Sequence, residues 1–207
     1  MRRIGKQGSG FTLLELLLVI AIITVLVGLL FPAFQAVQNS AKKTQAKNDL
    51  TQIVTAVNAF YTEYGKYPLP STATTDTIYG PEGTSSADLF YTLRAVPFGA
   101  NLNNAVNTRQ IVFVSPPDVK DTTNPRAGIG TDGQWYDPWG TRYNVEIDGN
   151  YTNQIEVNPY PDKDGSAGAT PLRLGVISWS YGNDLTKGTK TPASPNFKGS
   201  DDLISWQ

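Results

Sequence analysis

Phe11 to Phe34 reads FTLLELLLVIAIITVLVGLLFPAF, 24 residues with a single charge, Glu15. As a helix rising ~1.5 Å per residue it spans ~36 Å, enough to cross a hydrocarbon core of ~30 Å. Ahead of it lie Arg2, Arg3 and Lys6, with Gly10 standing directly before Phe11. A secretory signal places its small-residue cleavage site after the apolar run. Here the small residue comes first, so cutting at Gly10 removes the basic leader 1–10 and leaves the apolar helix on the mature chain. The basic leader also predicts a cytoplasmic N-terminus, with the bulk of the chain on the other side of the membrane.

The helix is expected to continue past the membrane segment 11–34. Ala46, Leu50, Ile53, Val57, Phe60 and Tyr64 recur at steps of three and four, with polar residues such as Lys47, Asn48, Asp49, Thr51 and Gln52 between them. That pattern predicts an amphipathic helix over 35–64, with Gly65 as its stop. Within the apolar half, Pro32 has no N–H to offer the carbonyl of Gly28, and Gly28 is itself a weak helix former. Gly28–Pro32 is therefore a built-in weak point, either a kink or a site of local melting.

Residues 65–207 are expected to form one globular head. Ala87 to Ala95 predicts a short helix capped by Ser85 or Ser86. Four segments read as strands: Gln110–Val114, Thr141–Ile147, Tyr151–Val157 and Leu174–Tyr181. Asp148-Gly149-Asn150 is the turn between the second and third. Ser71–Thr77, Pro116–Gln134 and Gly182–Gln207 read as loops, and Asp162-Lys163-Asp164-Gly165 as a turn. The fold class is thus α+β: a long N-terminal helix, half transmembrane and half amphipathic, packed on a small antiparallel sheet with a long C-terminal loop.

Composition excludes several chemistries. The chain has no cysteine and no histidine. Disulfides, Ser-His-Asp and Cys-His catalysis and the usual zinc sites are therefore out of reach. The formal charge is −1 and three of the basic residues sit in the leader, so no nucleic-acid partner is expected. No carboxylate pair has a recognisable catalytic context, and no enzymatic activity is expected.

GFTLLE, Gly10 to Glu15, resembles the cleavage and methylation motif of type IV pilins and pseudopilins. The resemblance implies cutting by prepilin peptidase between Gly10 and Phe11 and N-methylation of Phe11. It also implies that Glu15 meets the positively charged Phe11 amine of a neighbouring subunit. An acid at a membrane-helix centre costs ~2.5–3.5 kcal/mol; pairing it with the amine would neutralise two buried charges together. Pro32 also falls where many members carry a proline.

Four further segments are similar, in the same order, to the major, G-type pseudopilin of bacterial type II secretion: Tyr64–Pro68 (YGKYP), Asp137–Tyr143 (DPWGTRY), Ser180–Asp184 (SYGND) and Asp202–Trp206 (DLISW). The chain is longer than typical members, with the excess at Ser71–Tyr136 and Pro159–Pro171. The resemblance implies a homo-oligomeric periplasmic filament anchored in the inner membrane. Its partners would be prepilin peptidase, minor pseudopilins and the inner-membrane secretion platform. The alternative is a minor pilin-like subunit with a ligand-binding or capping role. The resemblance further implies Ca²⁺ in the C-terminal loop: Asp184 and Asp202 match the family's acidic positions, and Asp201 adds a nearby carboxylate. A solvated acidic loop is the other reading of these three residues.

Overall fold

The computed structural model describes residues 12–162, 165–189 and 196–207. Its first helix, α1, runs Leu13–Tyr64, and the chain falls into two compact units that divide between Ala41 and Lys42.

In the first unit, α1 is exposed and apolar around its whole circumference. Leu13, Leu17, Ile20, Val25, Leu29, Phe31 and Phe34 are each more than half exposed, and the segment is long and apolar enough to cross a membrane. Thr24 donates its hydroxyl to the Ile20 carbonyl at 2.7 Å, satisfying a polar group that lipid could not. The helix passes through Gly28 and Pro32 without a break in its assignment.

In the second unit, Lys42–Gln207, the remainder of α1 buries the predicted stripe: Ala46, Leu50, Ile53, Val57 and Phe60 are at most 1% exposed. Asp49 corrects the polar-face reading. It is buried beside Leu50, and the Tyr143 hydroxyl donates to its carboxylate at 2.9 Å. Burial, against that donated bond, pushes the Asp49 carboxyl up to about 6. Gly65 ends the helix at φ +67°, its N–H donating to the Tyr61 carbonyl at 2.8 Å.

Four short strands make an antiparallel sheet in the order β1 (Thr77–Tyr79), β4 (Asn144–Ile147), β5 (Val176–Ser180), β6 (Leu203–Ile204). Between β1 and β4 come α2 (Ala87–Leu93) and a two-stranded ribbon of β2 (Gly128–Ile129) and β3 (Trp135–Tyr136). Side chains alternate across the main sheet as a pleat requires. Tyr79, Val145, Ile147, Val176 and Leu203 join the α1 stripe in one core. Ile177, Trp179 and Ile204, with Ile78 at their edge, face the other way onto Ile155, Tyr160, Ala167 and Leu172.

Two predicted strands are not strands. Around Gln110–Val114 the Asn107 side chain takes the place of a ladder. It accepts from Ile111 N–H at 3.1 Å and donates to the Ile111 and Thr92 carbonyls, each at 2.8 Å. After the Asp148 turn, Tyr151 and Asn153 adopt φ of 59° and 61°. The Asp148 carboxylate accepts their neighbourhood's N–H groups, from Thr152 and Asn153. Side-chain acceptors thus satisfy backbone that the alternating pattern assigned to a sheet. Loops also hold more order than composition suggests: β2 lies in Pro116–Gln134, and β6 in Gly182–Gln207.

Candidate functional site

Of the N-terminal processing residues, Gly10 and Phe11 lie outside the described residues. Glu15 opens α1. Its Oε2 accepts from the Thr12 N–H at 2.9 Å and from the Thr12 hydroxyl at 2.8 Å, while its own N–H donates to Thr12 Oγ1 at 3.2 Å. This is a reciprocal capping box, in which each side chain satisfies the other residue's otherwise unpaired N–H. The sequence reading gives Glu15 a partner on another subunit and overlooks this local one, although the spacing Thr12-x-x-Glu15 ahead of an apolar run is its signature.

The C-terminal acids are built up from the DPWG turn that follows β3. Asp137 Oδ1 accepts three successive N–H groups, Trp139 at 2.9 Å, Gly140 at 2.8 Å and Thr141 at 2.9 Å. Its Oδ2 accepts from the Ser180 hydroxyl at 2.6 Å, and Gly182 N–H donates to that hydroxyl at 3.1 Å. Two segments far apart in sequence, DPWG and SYGND, are thereby joined through one buried carboxylate. Burial raises the Asp137 carboxyl above its ordinary range, with the donated bonds opposing. Gly182 sits at φ +69°, where an added Cβ would lie 2.3 Å from the Asp201 carbonyl oxygen, so only glycine fits this close approach.

From there the chain presents all three predicted aspartates to one point. Asp184, Asp201 and Asp202 each offer a carboxylate oxygen within 4.8 Å of the others. Asp201 Oδ2 accepts from Asn183 N–H at 2.5 Å and Asp184 N–H at 3.1 Å. Asp184 Oδ1 accepts from Thr186 N–H at 2.9 Å. Asp202 is 5% exposed. Its Oδ2 accepts from Gly188 N–H at 2.7 Å and from the Tyr160 hydroxyl at 2.5 Å. Its Oδ1 is buried with no hydrogen-bond partner among the described residues. Burial pushes the Asp202 carboxyl up to about 7; Asp201 and Asp184 add to the rise, and the Tyr160 and Gly188 donors oppose it. Lys187, one of the loop's lysines, is engaged with Glu82 and lies 5.4 Å from the Tyr160 ring centre.

Three converging carboxylates, one with an unsatisfied buried oxygen, fit a hard cation that takes oxygen ligands. The absence of cysteine and histidine leaves no soft or imidazole donor to redirect that choice. The Asp162 turn lies elsewhere. Gly165 N–H donates to the Asp162 carbonyl at 3.0 Å, and the Asp162 carboxylate accepts from Phe197 and Lys198 N–H.

Comparison with known proteins finds a family motif at the N-terminus and two partial relatives. The prokaryotic N-terminal methylation motif matches residues 6–31. The chain is 37% identical over 65 residues to the type IV major pilin protein PilA of Myxococcus xanthus, covering 31% of this chain and 30% of that protein. It is 35% identical over 63 residues to the type II secretion system core protein G of Pseudomonas aeruginosa, covering 30% of this chain and 44% of that protein. The chain therefore spans less than half the length of either relative. No solved structure matches. The motif and the two relatives make this chain similar, over part of its length, to both a type IV pilin and a type II secretion core protein.

Proposed function

We propose that the chain is a structural filament subunit, carried as a reading by the methylation motif at residues 6–31 on a helix that is apolar all round. Prepilin peptidase cleaves between Gly10 and Phe11 and methylates the Phe11 amine. The subunit is stored in the inner membrane through 11–34 with its head in the periplasm. It then polymerises into a pseudopilus that serves type II secretion, in company with minor pseudopilins and the membrane platform. Glu15 pairs with the Phe11 amine of a neighbour and sets the stagger, while helix packing supplies most of the cohesion. Gly28–Pro32 is the segment that yields on assembly. The likeness to a type IV major pilin favours a second reading, a subunit of a type IV pilus.

In the head, a Ca²⁺ ion held by Asp184, Asp201 and Asp202 would screen three clustered carboxylates and tie the C-terminal loop to the end of β5. The orphaned Asp202 Oδ1 supports this assignment.

The filament reading is tested in cells with an active prepilin peptidase. Intact mass of the membrane-extracted chain should show loss of residues 1–10 and gain of one methyl group. Glu15→Ala should leave the membrane-inserted pool intact and abolish sheared filaments. Full-length unmethylated chain alone, or filament yield from Glu15→Ala equal to wild type, would overturn it.

A further inference from the structure

We propose that the stretches 155–162 and 165–172 act as a clamp that holds the C-terminal acidic loop in place without a cation, with Asp162 and Tyr160 as its two positioning residues. The proposal rests on the cation reading only for the purpose it gives the clamp, namely presenting Asp201 and Asp202 as ligands.

The clamp is closed at its base. Ile155 and Leu172 exchange N–H···O bonds of 2.8 and 2.9 Å. It is tied across its middle, where the Asn158 side-chain amide donates to the carbonyls of Ala167 and Gly168, each at 3.0 Å. Ile155, Tyr160 and Ala167 are fully buried against Ile177, Trp179 and Ile204. Ile177 and Trp179 belong to β5, so part of this anchorage lies outside the segment it grips.

Its grip falls on both sides of Asp201–Asp202. Upstream, the Asp162 carboxylate accepts from Phe197 N–H at 2.9 Å and Lys198 N–H at 3.0 Å, and the Tyr160 and Phe197 rings meet edge to face at 5.7 Å. Downstream, the Ala167 carbonyl accepts from Trp206 Nε1 at 2.6 Å, and the Ser166 carbonyl from the Gln207 amide. Between these anchors the Tyr160 hydroxyl donates to Asp202 Oδ2. A segment pinned at 197–198 and 206–207 to one body has little freedom left at 201–202. A carboxylate whose Oδ2 already has two donors has its orientation set before any ion arrives. Charge-assisted bonds to two successive N–H groups are the stronger kind, which makes Asp162 the main anchor. This ordering would lower the entropy that a ligand must otherwise take from the loop on binding.

The test is hydrogen–deuterium exchange on the full chain in detergent micelles, with calcium and with chelator, for wild type, Asp162→Ala, Asp162→Asn and Tyr160→Phe. In chelator, wild-type amides of Phe197 and Lys198 should stay protected. Asp162→Ala should exchange there about tenfold faster or more, while Asp162→Asn, which keeps an acceptor oxygen, should recover most of the protection. Amides of β4 and β5 serve as the internal control that the head is folded. Tyr160→Phe should weaken calcium binding about tenfold while leaving Phe197 and Lys198 protected. Wild-type amides at 197–198 that are unprotected in chelator, or equal protection in wild type and Asp162→Ala, would overturn the clamp. Failure of the cation reading shows separately, as no calcium binding by the wild-type chain in isothermal titration calorimetry, whatever the protection at 197–198.

Discussion

The two faces of the β1-β4-β5-β6 sheet are covered by different means. One face is covered by a helix. Leu50, Ile53, Val57 and Phe60 of α1 lie on Tyr79, Val145, Ile147 and Val176, a cover made of side chains on regular backbone whose hydrogen bonds are internal to the helix. The other face is covered by irregular chain from 155–162, 165–172 and 196–207, where the Asp162 carboxylate satisfies the Phe197 and Lys198 N–H groups across the sequence. Helical cover has periodicity, so it is fixed by local residue order. Loop cover depends on which distant carboxylate reaches which N–H, and no local pattern encodes that.

This contrast makes the helix-covered face the more expensive one to damage. Phe60→Ala, at a fully buried ring, is expected to cost about 3–5 kcal/mol. Leu172→Ala, on the loop-covered face, should cost about 2 kcal/mol, since irregular chain can settle into the space. Urea unfolding of the full chain in detergent micelles, followed by tryptophan fluorescence, measures both, and equal losses would break the comparison.

Calcium should act on the loop-covered face alone. An ion that binds only the native state stabilises it by ~2.7 kcal/mol at a hundredfold excess over Kd. The full chain should therefore melt higher in calcium than in chelator, and Asp202→Ala should remove most of the difference. Asp121→Ala, an exposed acid outside the cluster, is the suitable control. Asp162, read from sequence as a simple turn residue, is not suitable, because it grips the loop. Identical melting in calcium and chelator would return the three aspartates to a solvated loop.

The smallest expected effect concerns Glu146, which stands in register between Ile78 and Ile177 on the loop-covered face and is 3% exposed, with Oε2 unpartnered among the described residues. Burial pushes its carboxyl up to about 7; Asp76 and Glu82 add to the rise, and Lys187 opposes it. An acid with a raised folded-state value binds its proton more tightly folded than unfolded. Its cost is absent below the unfolded value near 4.5, grows as pH rises, and is complete above about 7. Glu146→Gln should thus stabilise the chain by roughly 2 kcal/mol at pH 8 and by little at pH 4. A gain that does not change with pH would mean that Glu146 is not held this way.

What was legible in the sequence follows the same division. The α1 stripe, the Gly65 stop, α2 and β5 each carry a local signal, and each is present. The three aspartates were named through resemblance, and the structure brings their carboxylates together. Asp49 was misassigned because a buried acid in a helix looks like a polar-face residue until Tyr143, 94 positions away, supplies its donor. Gln110–Val114 and Tyr151–Val157 alternate like strands, but Asn107 and Asp148 satisfy their backbone first. The Thr12–Glu15 box was readable, and was eclipsed by the stronger reading placed on the same glutamate.

That box changes how assembly is to be understood. On the proposed reading, a subunit stored in the bilayer holds its Glu15 carboxylate in two hydrogen bonds from Thr12, which orient the acid and leave its charge in place. Joining a filament of the proposed kind is then an exchange of one set of partners for another. The Phe11 amine of a neighbour would add what Thr12 cannot, an opposite charge, so the gain is the pairing of two charges less the hydrogen bonds given up. A contact with that profile selects position, because the carboxylate gives up its Thr12 bonds only where an amine arrives in their place.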